Sequence, residues 1–134
     1  MDTNKLLNSH TCVILENNQV IFSSDEKGVK PLLDFYHQSG VKQKLCVVDK
    51  IMGRGAVLLA KLIGAESIVT PIISKDALAL ANEYGLKVEY QKLVDYIVNR
   101  DNTGRCPIET SVLGISDIQK GYEIILQTLQ KLKA

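Results

Sequence analysis

The sequence contains no tryptophan and only two phenylalanines. A chain so poor in large flat rings has little with which to stack unpaired bases, which argues against a single-strand nucleic-acid platform. Charge of one sign is lacking too. Sixteen Lys and Arg stand against fifteen Asp and Glu, for a formal net charge of +1. Nothing in that balance draws the chain toward nucleic acid or an anionic membrane. No run approaches the ~20 apolar residues that cross a bilayer. Met1 to Lys5 has no apolar stretch behind it, so a secretory leader is not expected. The three cysteines, Cys12, Cys46 and Cys106, are few, odd in number and far apart, with no C-x-x-C. A disulfide framework is not expected, and a reducing cytoplasm fits that usage.

What is present is ordinary globular material. The 134 residues are 46% hydrophobic and 23% charged, which suits one domain over 1–134, with its core in 10–134. A short helix is expected over 2–9. Thr11–Leu15 and Gln19–Phe22 read as strands joined through Asn17-Asn18, a pair that tolerates a tight hairpin turn. After the polar loop Ser23–Gly28, a helix over 29–38 gathers Val29, Leu32, Leu33, Phe35 and Tyr36 on one side. Leu45–Val48 is an unbroken apolar run, the mark of a strand covered on both faces. The helix that follows, Gly53–Ile63, is apolar almost all round and so is expected to be buried.

Ser67–Ile73 is a further strand, expected to fray or bulge at Pro71. Ser74 can cap the next helix, and Gly85 stops it. Leu86–Gln91 alternates wet and dry, as an edge strand does. Residues 94–98 fit either a helical turn or a strand, and 99–105 is a polar loop. Cys106-Pro107 opens a short helix to about Leu113. Ser116 to Gln119 is a capping box for a last helix with the stripe Ile118, Tyr122, Ile125, Leu126, Leu129 and Leu132. A hairpin followed by alternating helices and buried strands predicts an α/β fold with a mixed sheet and helices on both faces.

In such sheets ligands bind beyond the carboxyl ends of the strands, at helix N-termini. Gly53-Arg54-Gly55 lies there, and two readings stand. The glycines and the guanidinium bring bare amides and positive charge to a phosphate, or the glycines simply allow a tight turn against the sheet. A G-x-G without a third glycine is no dinucleotide fingerprint. Asp49 and Lys50 close the buried strand, either as ligand groups for a sugar hydroxyl and a phosphate or as an ion pair. Cys106 beside Arg105 could favour a thiolate, with Glu109 as acid or base. Alternatively, Cys106 is a small buried group and Glu109 completes a helix end. His10 and His37 read as surface residues.

The run from Val13 to Leu126 resembles the domain-of-unknown-function family eighteen ninety-three. The match is carried by Asp25 to Pro31, by Val48 to Ala56, and above all by the long segment Ile97 to Glu109, Ile-Val-Asn-Arg-Asp-Asn-Thr-Gly-Arg-Cys-Pro-Ile-Glu. The resemblance implies a cytidine-deaminase-like fold, a three-layer α/β/α sandwich with a mixed sheet. Zinc deaminases carry H-x-E at one helix start and P-C-x-x-C at the next. Laid over this chain, those motifs fall near 25–30 and 49–55, where no His or Cys stands beyond the core residue Cys46. No metal site is expected, and function should follow the site rather than the scaffold.

The expected pocket has Asp25, Lys27, Gly28 and Lys30 on one side and Asp49, Lys50, Gly53, Arg54 and Gly55 on the other. Asn99, Arg100, Asp101, Cys106 and Glu109 close it. Such a set suits a nucleotide or ADP-ribose type of ligand, with no further cofactor and with any catalytic residue unassigned. The competing expectation is a non-enzymatic interaction module, for which the apolar stripe of the last helix would serve self-association.

Overall fold

Asn17 and Asn18 take φ of 53° and 63°, the two left-handed positions of a tight hairpin turn. They join β1 (Cys12–Glu16) to β2 (Gln19–Ser24), as the sequence predicts. The computed structural model describes residues 3–99 and 102–133. Within them β1 lies antiparallel to both β2 and β3 (Leu45–Asp49). β3 and a two-residue strand β4 (Ile51–Met52) both run parallel to β5 (Ala65–Ser74). The pairs Val48↔Val69 and Ile51↔Ile72 keep one offset across Lys50, so β3 and β4 are one strand interrupted at that residue. β6 (Lys87–Val94) pairs parallel along the other side of β5. The architecture is therefore α/β with a mixed sheet.

Alternation in β1 sends its side chains to two cores. Cys12 and Ile14 face the larger one, shared with α2 (Lys30–Ser39) and α3 (Arg54–Ile63). Val13 and Leu15 face a smaller one with Val48 and with Leu6 and Leu7 of α1 (Thr3–Ser9). α3 is buried nearly throughout, as its apolar sequence requires. Ser74 caps α4 (Lys75–Glu83), its Oγ accepting the Ala77 N–H at 3.0 Å. Cys106-Pro107 opens α5 (Pro107–Ser111).

Three expectations need correction. β5 neither frays nor bulges at Pro71: it continues to Ser74, with the same register against β6 on both sides of the proline. The step is spanned instead by Thr70 Oγ1 donating to the Ile72 carbonyl at 2.9 Å. Asp117 rather than Ser116 caps α6 (Ile118–Lys133), because its Oδ1 accepts the Lys120 N–H at 2.9 Å. Finally, the α6 stripe is not a free face. Ile118, Tyr122, Ile125, Leu126 and Leu129 pack into the main core. Gly121 lets the helix approach so closely that an added Cβ would fall 2.1 Å from Leu58 Cδ1. Only Leu132 of the stripe is left well exposed, at 56%.

Candidate functional site

The helix that follows β4 starts at a mouth that wants an anion. The chain supplies one of its own. Glu109, from α5, is buried, and its Oε2 accepts the Arg54 main-chain N–H at 2.7 Å and the Ser74 hydroxyl at 2.5 Å. Its Oε1 accepts the Ile97 N–H at 2.9 Å. The same carboxylate thus holds the start of α3, the cap of α4 and the segment after β6. Gly53 and Gly55 are small because these neighbours are close. A Cβ on Gly53 would meet Glu109 Oε2 and Ile97 Cγ1 at 3.1 Å, and one on Gly55 would meet Ile108 Cγ2 at 2.7 Å.

The Arg54 side chain turns inward as well. Nε donates to the Val112 carbonyl at 2.8 Å, one terminal nitrogen to Ile115 O at 2.8 Å, and the other to Asp76 Oδ1 at 2.6 Å. A buried guanidinium committed to three acceptors is a clamp on the 107–116 segment. Its charge is already matched by Asp76, so it offers a phosphate little.

A second group lies where β1 starts and β2 and β3 end. Cys12 stands across from Ser24 on one side and from Asp49 on the other. Thr11 Oγ1 reaches the carbonyls of Ser24 and Glu26, and its own carbonyl accepts the Lys50 N–H at 3.2 Å. Asp49 is buried, and its Oδ2 has no hydrogen-bond partner among the described residues. Burial raises the carboxyl from 3.8 to about 8, against the backbone amides of Lys50 and Ile51, which pull it down. Burial also pushes the Cys12 thiol up, and the Asp49 charge adds to that.

Around this corner Asp25 is exposed and holds His10 Nδ1 at 2.9 Å. Lys30 holds Asp34 at 2.9 Å. Lys27, Gly28 and Lys50 are exposed. No ion pair of Lys27 or Lys50 is seen among the described residues. Asn99 is tied to Thr103, with Oδ1 accepting the Thr103 N–H and Nδ2 donating to Thr103 Oγ1, both at 3.0 Å. Cys106 is half-buried against the core and its side chain caps nothing. Arg100 and Asp101 lie outside the described residues.

The expected single pocket is thus resolved into two groups. The structure brings Gly53, Arg54, Gly55 and Glu109 together. It separately brings Asp49 and Lys50 to the loop after β2. Among the described residues no hydrogen bond or ion pair joins the two. Sequence reasoning gave Ser74 only a helix-start role and missed Cys12 and Thr11 as neighbours of Asp49. The signal for Ser74 was its place at the carboxyl end of β5. Cys12 carried none beyond the register of the hairpin. A shallow cleft of about 260 Å³ sits at the far end of the sheet, among Lys42, Lys44, Lys61 and Gly64. The lysines there sit near the C-terminal end of α3, whose negative pole suits cations.

Among the described residues, no three His, Cys, Asp or Glu side chains are grouped to hold a metal ion, and no helix is long and apolar enough to cross a membrane. A family model, Domain of unknown function (DUF1893), matches residues 3–129. A solved structure of a DUF1893 family protein (TM1506) from Thermotoga maritima is similar, at 26% identity and a TM-score of 0.83. The likeness covers 92% of this chain and 85% of that one. No protein of curated function matches.

Proposed function

We propose, from the premise that the chain belongs to the DUF1893 family, that it binds a small nucleotide-type ligand at the corner where β1 starts and β2 and β3 end, with Asp49 as the group that reads it. The observation that carries this reading is the unpartnered Oδ2 of a buried carboxyl. Leaving such an atom unpaired costs about 1–3 kcal/mol. That cost is offset when a ligand completes the bond. With its carboxyl raised to about 8, Asp49 is mostly neutral at pH 7, so Oδ2 can donate its proton to a ring nitrogen or carbonyl of a base. Lys27 and Lys50, exposed beside the corner, supply positive charge for a phosphate in place of Arg54.

The order β2-β1-β3-β5-β6 with β1 alone reversed supports a deaminase-like, three-layer layout for this fold. The free thiols of Cys12, Cys46 and Cys106 support a reducing, cytoplasmic setting. The reading is one of binding, with no reaction assigned.

Isothermal titration with AMP, CMP and ADP-ribose tests it. At least one should bind, and Asp49→Ala, which removes the donor, should weaken that binding tenfold or more, while Asp49→Asn, whose amide can still donate, should retain most of it. The reading fails if none of the three binds, or if Asp49→Ala binds as the wild type does.

A further inference from the structure

The two edges of the sheet are built differently. The β2 edge is six residues long, and the β1–β2 ladder shifts register between Ile14 and Leu15. Irregularities of that kind blunt an edge. The β6 edge is eight residues long, holds no proline, and keeps one register with β5 from Lys87 to Val94. Among the described residues no strand pairs with its outer side. Tyr90 and Leu93 on it are 44% and 38% exposed. Such an edge is a template for another strand.

We propose that β6 is a self-association edge, on which a second copy of the chain pairs its own β6 antiparallel about a two-fold axis at Gln91. The charge pattern selects this partner and this register. With the axis at Gln91, Lys87 of each copy faces Asp95 of the other. Asp95 is the residue after β6, and its Oδ1 also holds Lys75 Nζ of its own chain at 2.8 Å, so that Lys87 would share this carboxylate. Tyr90 faces Lys92, Val88 faces Val94, and the two Gln91 side chains meet. Opposite charges and ring–cation pairs directly across strands are stabilising. Moving the axis to Glu89 sets Glu89 against Glu89, which is destabilising. Moving it to Tyr90 sets Lys92 against Val88 and Lys87 against Leu93. Two copies joined at Gln91 make one continuous sheet across the dimer, an isologous contact that closes on itself.

Sedimentation velocity and light scattering on the intact chain test this. The wild type should show a concentration-dependent dimer. Lys87→Glu and Asp95→Lys should each weaken it tenfold or more, and the two changes together should restore it, because the facing charges are then exchanged rather than opposed. Under mild oxidation Gln91→Cys should give a disulfide-linked dimer, and Glu89→Cys should give no more than the wild type. The proposal is overturned by a monomer at high concentration, by a dimer indifferent to Lys87→Glu, or by cross-linking through Cys at 89 rather than at 91.

Discussion

Glu109 and Asp49 are both buried carboxyls at the carboxyl-end side of the parallel strands, at 5% and 6% exposure. Glu109 collects donors on both oxygens, from Arg54, Ser74 and Ile97. Asp49 keeps one oxygen with no partner among the described residues. The first carboxylate takes the place an anionic ligand would occupy at a helix mouth, and so completes the fold. The second is left incomplete by the fold. The difference assigns stability to one corner and recognition to the other, and each of the following measurements can break that assignment.

The largest effect is expected at Glu109. Glu109→Ala strands the Arg54 and Ile97 amides and the Ser74 hydroxyl in the interior. Each buried donor left without an acceptor costs about 1–3 kcal/mol, to be read as a lower midpoint in urea at pH 7. A loss under 1 kcal/mol would mean that the network is ornamental and that the α3 mouth is available to a ligand after all.

Asp49 should behave in the opposite sense. Its folded-state carboxyl is raised to about 8 from 3.8. Between those values the folded state holds a proton that the unfolded state has released, so stability falls as pH rises. The contribution is full below the unfolded value and is lost as pH passes through the folded one. Thermal unfolding from pH 4 to pH 8 should show this slope, and Asp49→Asn should flatten it. At pH 7.5 the variant should be the more stable of the two, because the amide has no proton to lose in the unfolded state. An equally steep slope in the variant would show that the open carboxyl is not its source.

Much of the fold was legible because it rests on local rules. Asn17-Asn18, the apolar run Leu45–Val48 and the all-apolar α3 each admit one reading by turn chemistry or periodicity. The family resemblance is consistent with the DUF1893 match and with the Thermotoga structure. Of the candidate site, only one convergence was legible. That Gly53-Arg54-Gly55 and Glu109 converge follows from the position of helix starts. That the guanidinium faces inward depends on where the Val112 and Ile115 carbonyls come to lie, and those belong to a segment far along the chain. The opposition of Cys12 to Asp49 is a matter of register, which apolar strands leave open from sequence alone. The α6 stripe was visible, but its partner was not: only the approach of Gly121 to Leu58 shows that the stripe is core.

Smaller changes sharpen the contrast between the corners. Gly53→Ala introduces a Cβ 3.1 Å from Glu109 Oε2 and from Ile97 Cγ1, at a backbone φ of −94° that any residue accepts. Its cost is therefore crowding alone, about 1 kcal/mol, and nucleotide binding should be unchanged. A loss of binding without a loss of stability would move the ligand to the α3 mouth.

Lys50→Ala is expected to have the smallest effect on the fold. The side chain is exposed, and the hydrogen bond at this residue runs from its main chain to the Thr11 carbonyl, which alanine keeps. Stability should stay within about 0.5 kcal/mol of the wild type. If a phosphate sits at this corner, the same substitution removes a charge-assisted contact, and affinity should fall about tenfold in 0.1 M salt. The wild-type affinity should itself weaken as salt rises, because an exposed lysine is screened over about 10 Å at that ionic strength. Binding that ignores both the substitution and the salt would leave Asp49 as a reader of uncharged ligands.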